Sequence, residues 1–265
     1  LFNLNINFYQ VDAFTNSLFS GNPAGVIFSN IDNEVLMQQI AYENNLSETA
    51  FVSKHNDEYF IRWFTPDIEV DLCGHATLAA AFVYFNFIDT KAKNFVVNSK
   101  SGILEVVQDE SMLHMNFPID SLDECNQYLE IENFLGKRPS QMFKGKDDYL
   151  CIFEDEFDIL NLSPNFLLSD TLKCRGVIAS AQSKDYDFVS RCFFPMSGVD
   201  EDPVTGSAHT TLVPYWAKIL NKNRLVAKQV SKRGGILHCR LNNNRVIISG
   251  EAILYLSGQI FLDVN

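Results

Sequence analysis

The feature that most constrains the fold is an internal repeat. FIRWFTP (Phe60–Pro66) in the first half of the chain has a counterpart in the second half, FVSRCFFP (Phe188–Pro195). Two further pairs follow in the same order, GHATL with GSAHT, and GIL at Gly102 with GIL at Gly235. The members of each pair are about 130 residues apart, as a tandem duplication of half the chain predicts. We therefore expect two lobes with the same internal structure.

Each half combines short segments rich in β-branched and aromatic residues with one apolar helix. In the first half, Ala76–Phe87 is apolar on every side, which is typical of a helix buried within its own lobe. In the second half the matching helix is predicted from about Ser207, and Pro214 is expected to kink it or end it early. The predicted fold class is α+β, with two pseudo-symmetric lobes, each a mostly antiparallel, barrel-like sheet around a central buried helix.

A further helix is predicted over Asn33–Asn44, and the two asparagines at its end suit a left-handed cap. Its apolar face is predicted to consist of Val35, Leu36, Ile40 and Ala41. The N-terminal lobe is predicted over residues 1–118 and the C-terminal lobe over residues 119–265. The last strand, at about 251–262, is a candidate for crossing back to the N-terminal lobe.

Composition narrows the class of protein. The chain has 265 residues and 46% hydrophobic content, enough to fill one or two cores. Its formal net charge of -12 at pH 7 argues against a broad nucleic-acid interface, because phosphates are neutralised by clustered Lys and Arg. No stretch has the roughly 20 apolar residues of a membrane span, and no signal peptide is recognisable, so we expect a cytoplasmic protein.

Metal and nucleotide motifs are missing from the sequence. The six cysteines are widely and irregularly spaced without a CxxC, which favours neither a disulfide framework nor a zinc cluster. The five histidines form no HExxH, and neither GxGxxG nor GxxxxGK occurs. We therefore expect no metal and no cofactor.

The two buried helices are predicted to begin at Cys73-Gly74-His75 and at Thr205-Gly206-Ser207. A helix start offers unpaired backbone N–H groups to an anion, at about 0.3 to 1 kcal/mol each. Glycine there lets a ligand approach the backbone closely. Two such starts facing each other would hold a carboxylate, whereas the alternative interpretation is that Gly and Ser serve only as routine caps.

Four motifs resemble the PhzF-like family of phenazine-biosynthesis isomerases, which share the diaminopimelate epimerase fold. They are GNPAGV from Gly21, LSETAF from Leu46, FTPDIEVDLCGHAT from Phe64 and GVDEDPVTGSAH from Gly198. The resemblance covers nearly the whole chain, in order. It implies two pseudo-symmetric lobes with the active site between them, a homodimer, and a small carboxylate substrate on which a proton is moved without cofactor or metal.

The resemblance also implies roles for individual residues. The catalytic candidates are Glu48, as the proton shuttle, with His75 and Asp202. The substrate-binding candidates are Gly74, Gly206, Ser207 and Asn22. Each has a structural alternative: Glu48 as a strand-edge carboxylate facing water, His75 as a satisfied helix-start histidine, Asp202 and Ser207 as helix caps.

Two other functions stay open. A racemase or epimerase of the diaminopimelate type is expected to use two opposed thiols, but the position that matches Cys73 is Thr205, and a hydroxyl cannot serve as the second thiolate. A one-thiol role for Cys73 with Glu48 opposite stays open. A non-catalytic protein that binds a small carboxylate on the same fold is the alternative from another class.

Overall fold

A computed structural model of the chain describes residues 2–126 and 128–264. Its α-helices are α1 (Glu34–Asn44), α2 (Gly74–Val83), α3 (Tyr128–Leu135), α4 (Glu156–Leu160) and α5 (His209–Leu220). A π-helical turn spans Tyr84–Ile88, and 3₁₀ turns span Phe166–Thr171 and Pro195–Ser197. The strands are β1 (Phe2–Ala13), β2 (Asn22–Phe28), β3 (Glu48–His55), β4 (Glu58–Phe64), β5 (Glu69–Val70), β6 (Asn94–Ser99), β7 (Gly102–Asp109), β8 (Met112–Pro118), β9 (Asp123–Glu124), β10 (Gln141–Lys144), β11 (Asp148–Ile152), β12 (Gly176–Gln182), β13 (Phe188–Phe194), β14 (Val199–Asp202), β15 (Arg224–Gln229), β16 (Gly235–Asn242), β17 (Arg245–Gly250) and β18 (Ala252–Val264).

The chain folds as two compact units. Unit 1 contains the residues up to Asn116 together with those from Ser249 onward, and unit 2 contains Phe117–Ile248. The last strand, β18, lies in unit 1 because it pairs antiparallel with β1 along the whole length of β1.

Within each unit the strands pair in the same succession. In unit 1, β1–β2 is antiparallel, β2–β3 parallel, β3–β4 antiparallel, β4–β6 parallel and β6–β7 antiparallel. In unit 2 the same succession runs through β10–β11, β11–β12, β12–β13, β13–β15 and β15–β16. The protein is therefore a mixed α+β fold in which strands predominate.

The Arg-x-Phe sequences at the centre of the repeat make the same contact in both units. Arg62 donates through Nε and Nη2 to the two carboxylate oxygens of Glu69, both at 2.7 Å. Arg191 donates in the same way to Glu201 at 2.7 and 2.9 Å. Each guanidinium also lies over the phenylalanine two residues further on, 5.1 and 5.0 Å from the ring centre. The sequence repeat thus reflects a repeated ion pair as well as repeated strands.

Helix α1 is capped at both ends, and its C-terminal cap is the left-handed one that the sequence predicts. The Asn33 side chain accepts a hydrogen bond from the Leu36 N–H, and Asn45 adopts the left-handed conformation with φ of 49°. The predicted apolar face is confirmed for Ile40 and Ala41, which are buried, and for Leu36, which packs against the core while partly buried; Met37 is buried in addition. Val35, in the first turn, is 67% exposed.

Helix α2 is buried within unit 1. Except for Phe82, every residue from Gly74 to Val83 is buried, and the helix packs against β1, β2, β3 and β18. This confirms a helix that is apolar all round, although the predicted segment is α-helical only to Val83 and then continues as the π-helical turn. No helix of the described residues combines the length and the apolar content needed to cross a membrane.

Pro214 does not end α5, which contradicts an early end to this helix. The helix continues to Leu220 and is closed by Asn221 in the left-handed conformation. A proline inside a helix deprives the carbonyl four residues earlier of its N–H donor. Here that carbonyl, of Thr210, accepts a hydrogen bond from the Asp120 N–H at 3.1 Å. The backbone of a distant segment therefore replaces the donor that Pro214 lacks.

Candidate active site

Glu48 is the first residue of β3, where the strand lies parallel to β2 and Glu48 is paired with Ala24. Its side chain is 16% exposed, so it is not the water-facing strand-edge carboxylate of the structural alternative. The Oε2 atom of Glu48 lies 3.2 Å from the Nε2 atom of His75, the second residue of α2. The start of a strand and the start of a helix thus bring these two predicted residues together.

The contact is close, but it is not a complete hydrogen bond. Glu48 Oε2 and His75 Nε2 are within ion-pair distance, yet neither atom makes a hydrogen bond of good geometry to any described residue. Both atoms are buried. Buried polar groups are nearly always hydrogen-bonded, so the pair retains hydrogen-bonding capacity that a ligand could use.

The other ring nitrogen of His75 contacts Cys73. The Cys73 Sγ and His75 Nδ1 atoms are 3.5 Å apart, and both side chains are buried. The imidazole therefore lies between a thiol and a carboxylate, with one nitrogen facing each. Cys73, which sequence reasoning left without a definite role, is a direct neighbour of His75.

The charges in this cluster determine its protonation. Burial lowers the pKa of His75, but Cys73 and Glu48 outweigh burial and hold that pKa well above its ordinary value. Burial, reinforced by Glu48, raises the pKa of the Cys73 thiol to about 11. The contacts within the cluster thus favour the protonated forms of both the imidazole and the thiol.

The same three side chains are the only group of three potential metal ligands among the residues that the structure describes. Their ligand atoms lie within 4.8 Å of one another. A single ion requires its ligands to direct lone pairs at one point. The imidazole instead turns Nδ1 to the thiol and Nε2 to the carboxylate. As placed, the three side chains form a compact cluster in which each imidazole nitrogen has a different neighbour.

The second group of predicted residues lies in unit 2, around the segment from Asp202 to Ser207. Asp202 ends β14 and is half-buried, and its Oδ2 accepts a hydrogen bond from Thr205 Oγ1 at 2.5 Å. Gly206 is buried and Ser207 is half-buried, in a turn that precedes α5. Thr205, the residue that matches Cys73 in the repeat, therefore holds the carboxylate of Asp202 in place.

Helix α5 begins at His209, two residues later than predicted. The Nδ1 atom of His209 lies 2.8 Å from the Thr205 carbonyl, the acceptor that a regular α-helix would give to the backbone N–H of the same residue. That N–H donates instead to the Gly206 carbonyl, three residues back. Because the imidazole competes for the Thr205 carbonyl, the chain enters the helix through a tighter turn.

Both helix starts have open backbone donors. In unit 1 the first helical bond runs from the Thr77 N–H to the Cys73 carbonyl, and the N–H groups of Gly74 and His75 have no acceptor among the described residues. In unit 2 the same holds, within that described part of the chain, for the N–H groups of residues 206–208. Each start can therefore donate to an anion.

Because His209 is buried, we expect acid to lower the stability of unit 2. Burial lowers the pKa of His209 to about 4, against 6.5 for the free side chain, although the Thr205 carbonyl opposes the shift. Because the unfolded state binds this proton first, the free energy of unfolding should fall by about 2 kcal/mol between pH 7 and pH 5. Urea unfolding of the wild type and of His209→Asn, which keeps a donor for the Thr205 carbonyl, measures the difference. Equal pH dependence in both proteins would refute this assignment.

The titration of His75 does not account for the pH dependence that this test measures. Its pKa is raised, so its contribution to stability is complete below pH 6.5 and is lost as the pH rises through the folded-state value. The two histidines therefore act in different pH windows.

Asn22 begins β2 and is fully buried. It lies two residues before Ala24, the residue paired with Glu48 on the neighbouring strand. Gly21 makes this turn possible: its φ is +71°, and a Cβ there would lie 2.3 Å from the Ala13 carbonyl oxygen. The GNPAGV motif thus sets the start of the strand that runs beside Glu48.

Sequence reasoning missed Gln229, at the end of β15. This residue is fully buried and hydrogen-bonds to both Asp202 and Thr205. It lies 24 residues after Thr205 and belongs to none of the recognised motifs. The only signal in the sequence is an amide side chain at the end of a strand, β15, in which apolar and basic residues are mixed.

The overall fold resembles that of known epimerases. A hydroxyproline epimerase from Agrobacterium vitis, solved with bound trans-4-hydroxy-L-proline, superimposes with a TM-score of 0.63 over 98% of this chain and 93% of its own. The two sequences are only 8% identical, so this likeness concerns the fold alone.

Closer relatives define the family. A profile of the phenazine biosynthesis-like proteins (PhzC-PhzF) matches residues 11–258. An uncharacterized isomerase of Pseudomonas aeruginosa is 47% identical over 98% of this chain and 100% of its own. The crystal structure of a PhzF-family protein from Enterococcus faecalis has a TM-score of 0.94 at 43% identity, covering 98% of this chain and 100% of that one. The chain belongs to the phenazine biosynthesis-like family, as its motifs indicated.

Proposed function

We propose that this protein is a cofactor-independent isomerase that moves a proton on a small carboxylate substrate, with Glu48 as acid and base. The observation that carries the proposal is the Glu48–His75 pair. Its two facing atoms are buried and lack complete hydrogen bonds to the described residues, at the start of a helix with open N–H groups. The family membership and the names of the relatives support an isomerase in general.

The proton transfer requires one group that both accepts and returns the proton. The Glu48 carboxylate, beside the His75 imidazolium, removes a proton from a substrate carbon, and the electrons of the broken C–H bond enter an adjacent conjugated system. The carboxyl proton of Glu48 exchanges with solvent, and Glu48 then protonates another carbon, so that a new C–H bond forms and the double bond has moved. Nothing is oxidised or reduced. General acid–base catalysis of this kind contributes about a hundredfold to ten-thousandfold in rate.

The finer arrangement is proposed from the family resemblance. Two barrel-like lobes would hold the substrate in the cleft between them, and the amides of Gly74 and Gly206 would bind its carboxylate. Ser207 and Asn22 are the further proposed binding residues, and Asp202 is a second catalytic group. The open N–H groups at both helix starts support carboxylate binding. A homodimer is expected on the same ground and can be tested by light scattering.

Two alternatives make different predictions. A two-thiol racemase is disfavoured because the Cys73 thiol has a pKa of about 11 and the hydroxyl of Thr205 is engaged with Asp202. A binding protein would need the open amides but no acid–base pair. Neither alternative gives the Glu48–His75 contact the same role.

Solvent hydrogen exchange separates these functions. The protein is incubated in D2O with a panel of cyclic unsaturated carboxylates and of L- and D-amino acids, and the products are followed by NMR and chiral chromatography. The isomerase should place deuterium on a substrate carbon and shift a double bond. A racemase would instead invert an α-carbon, and a binding protein would leave every compound unlabelled. Either of these results would overturn the proposal.

A further inference from the structure

Gln229 connects two parts of the segment that contains Asp202 and Gly206. Its Oε1 atom accepts a hydrogen bond from the Thr205 N–H at 2.8 Å. Its Nε2 atom donates to the Asp202 carbonyl at 2.7 Å and to Thr205 Oγ1 at 3.2 Å. The side chain is fully buried. One amide group therefore forms three hydrogen bonds to two residues of the segment.

The donors and acceptors of this network permit only one orientation of the amide. Thr205 Oγ1 donates its proton to Asp202 Oδ2, so it can only accept from Gln229. The Thr205 N–H can only donate, so it must face the amide oxygen. Each polar atom thereby has a complementary partner, which is how buried networks specify one geometry. The network fixes both the carboxylate of Asp202 and the backbone immediately before Gly206.

The residue of unit 1 that matches Gln229 is Ser99, and it forms a different hydrogen bond. Gln229 is paired with Gly235 across the β15–β16 hairpin, and Ser99 is paired with Gly102 across β6–β7. The Ser99 hydroxyl donates to the Gly102 carbonyl within its own hairpin. The repeat therefore preserved the hairpin, while the link to the helix start belongs to unit 2.

We propose that Gln229 is the positioning residue for the anion-binding turn of unit 2. By holding Thr205, it keeps the open N–H groups of Gly206 and Ser207 directed at a substrate carboxylate and keeps the Asp202 carboxylate turned toward the Thr205 hydroxyl. The inference rests on the proposed function, because it assumes that these amides bind a carboxylate. It adds a residue that acts through its neighbours and does not itself contact the substrate.

The test uses Gln229→Met, which preserves side-chain length but removes every hydrogen bond. In ¹⁵N-labelled full-length protein, we expect the Thr205 amide proton to exchange with solvent at least about tenfold faster and the Gly206 and Ser207 resonances to move. Titration with benzoate as the probe should then show an affinity at least about tenfold weaker than in the wild type. Loss of a buried partner of the Thr205 N–H is the common cause.

Gln182→Met is the matched control, because Gln182 is an exposed glutamine at the end of β12 in the same unit. It should leave the Gly206 and Ser207 resonances and the benzoate affinity unchanged. If Gln229→Met does not fold, Gln229→Asn replaces it. This variant keeps the amide but is one methylene shorter, and it should weaken benzoate binding severalfold.

The outcomes distinguish this inference from the proposed function. If the wild type binds benzoate and the folded Gln229 variants bind it equally well with unmoved Gly206 and Ser207 resonances, Gln229 is not a positioning residue, although the proposed function stands. If the wild type neither binds benzoate at these amides nor labels any carboxylate in D2O, the proposed function fails and the assigned role fails with it.

Discussion

Replacing Glu48 by Gln is expected to reduce the rate of deuterium incorporation from D2O into the substrate by about a hundredfold to ten-thousandfold. Gln has nearly the shape of Glu but cannot accept and return a proton at carbon. It also removes the charge that favours the imidazolium form of His75, 3.2 Å away. The measurement is the initial rate of deuterium uptake by NMR, on the substrate found in the panel described above.

Two further variants make this result specific. Glu58→Gln alters an exposed glutamate at the start of β4 in the same unit and should exchange at the wild-type rate. Glu48→Asp keeps a carboxyl but withdraws it by one methylene from His75, so its rate should fall between those of the wild type and Glu48→Gln. If Glu48→Gln exchanged as fast as the wild type, Glu48 would not be the acid and base.

Replacing Arg191 by Met should lower the free energy of unfolding by about 3 kcal/mol, at the lower end of the range for breaking a buried ion pair. The side chains of Arg191 and Glu201 are 14% and 22% exposed and are joined by two hydrogen bonds. Arg191 also donates to the Leu162 carbonyl at 2.7 Å. Its loss leaves a carboxylate and a carbonyl without their donor, while partial exposure to water limits the cost.

Urea unfolding followed by tryptophan fluorescence measures this effect. Arg138→Met is the control in the same unit, because the Arg138–Glu132 pair is longer, at 3.5 Å, and its side chains are 63% and 41% exposed. The control should change stability by less than about 1 kcal/mol. Similar losses in both variants would show that burial and the bidentate geometry do not strengthen the Arg191 pair.

The predictable parts of the fold are those that depend on neighbours in sequence. The left-handed end of α1 followed from the asparagines at its C-terminus, because capping joins residues within one turn. The buried helix followed from an apolar pattern on all sides of Ala76–Phe87. Pro214 was misjudged because the Thr210 carbonyl is satisfied by the Asp120 N–H, from a segment far away in the chain. The start of α5 was misplaced because the His209 imidazole competes for a backbone acceptor.

The same distinction holds for the candidate site: the motifs indicated the residues, and the structure added their contacts. Motif resemblance was sufficient to select Glu48, His75 and Asp202 as chemical candidates, and their roles stay predictions. The structure added the contacts: Glu48 with His75, and Asp202 with Thr205. It also showed that the two ring nitrogens of His75 face different neighbours, which the spacing of residues in the sequence could not indicate.

The sequence by itself determined that the chain repeats, where α1 and the buried helix α2 lie, and to which family it belongs. These properties depend on local periodicity and on motifs that are read along the chain. Only the tertiary structure decided that Cys73 lies against His75 as a neutral thiol, and that Gln229 reaches back across 24 residues to hold Thr205. Burial and hydrogen bonding between distant residues are set by packing, because the same side chain has a different pKa and different partners when water is removed from it.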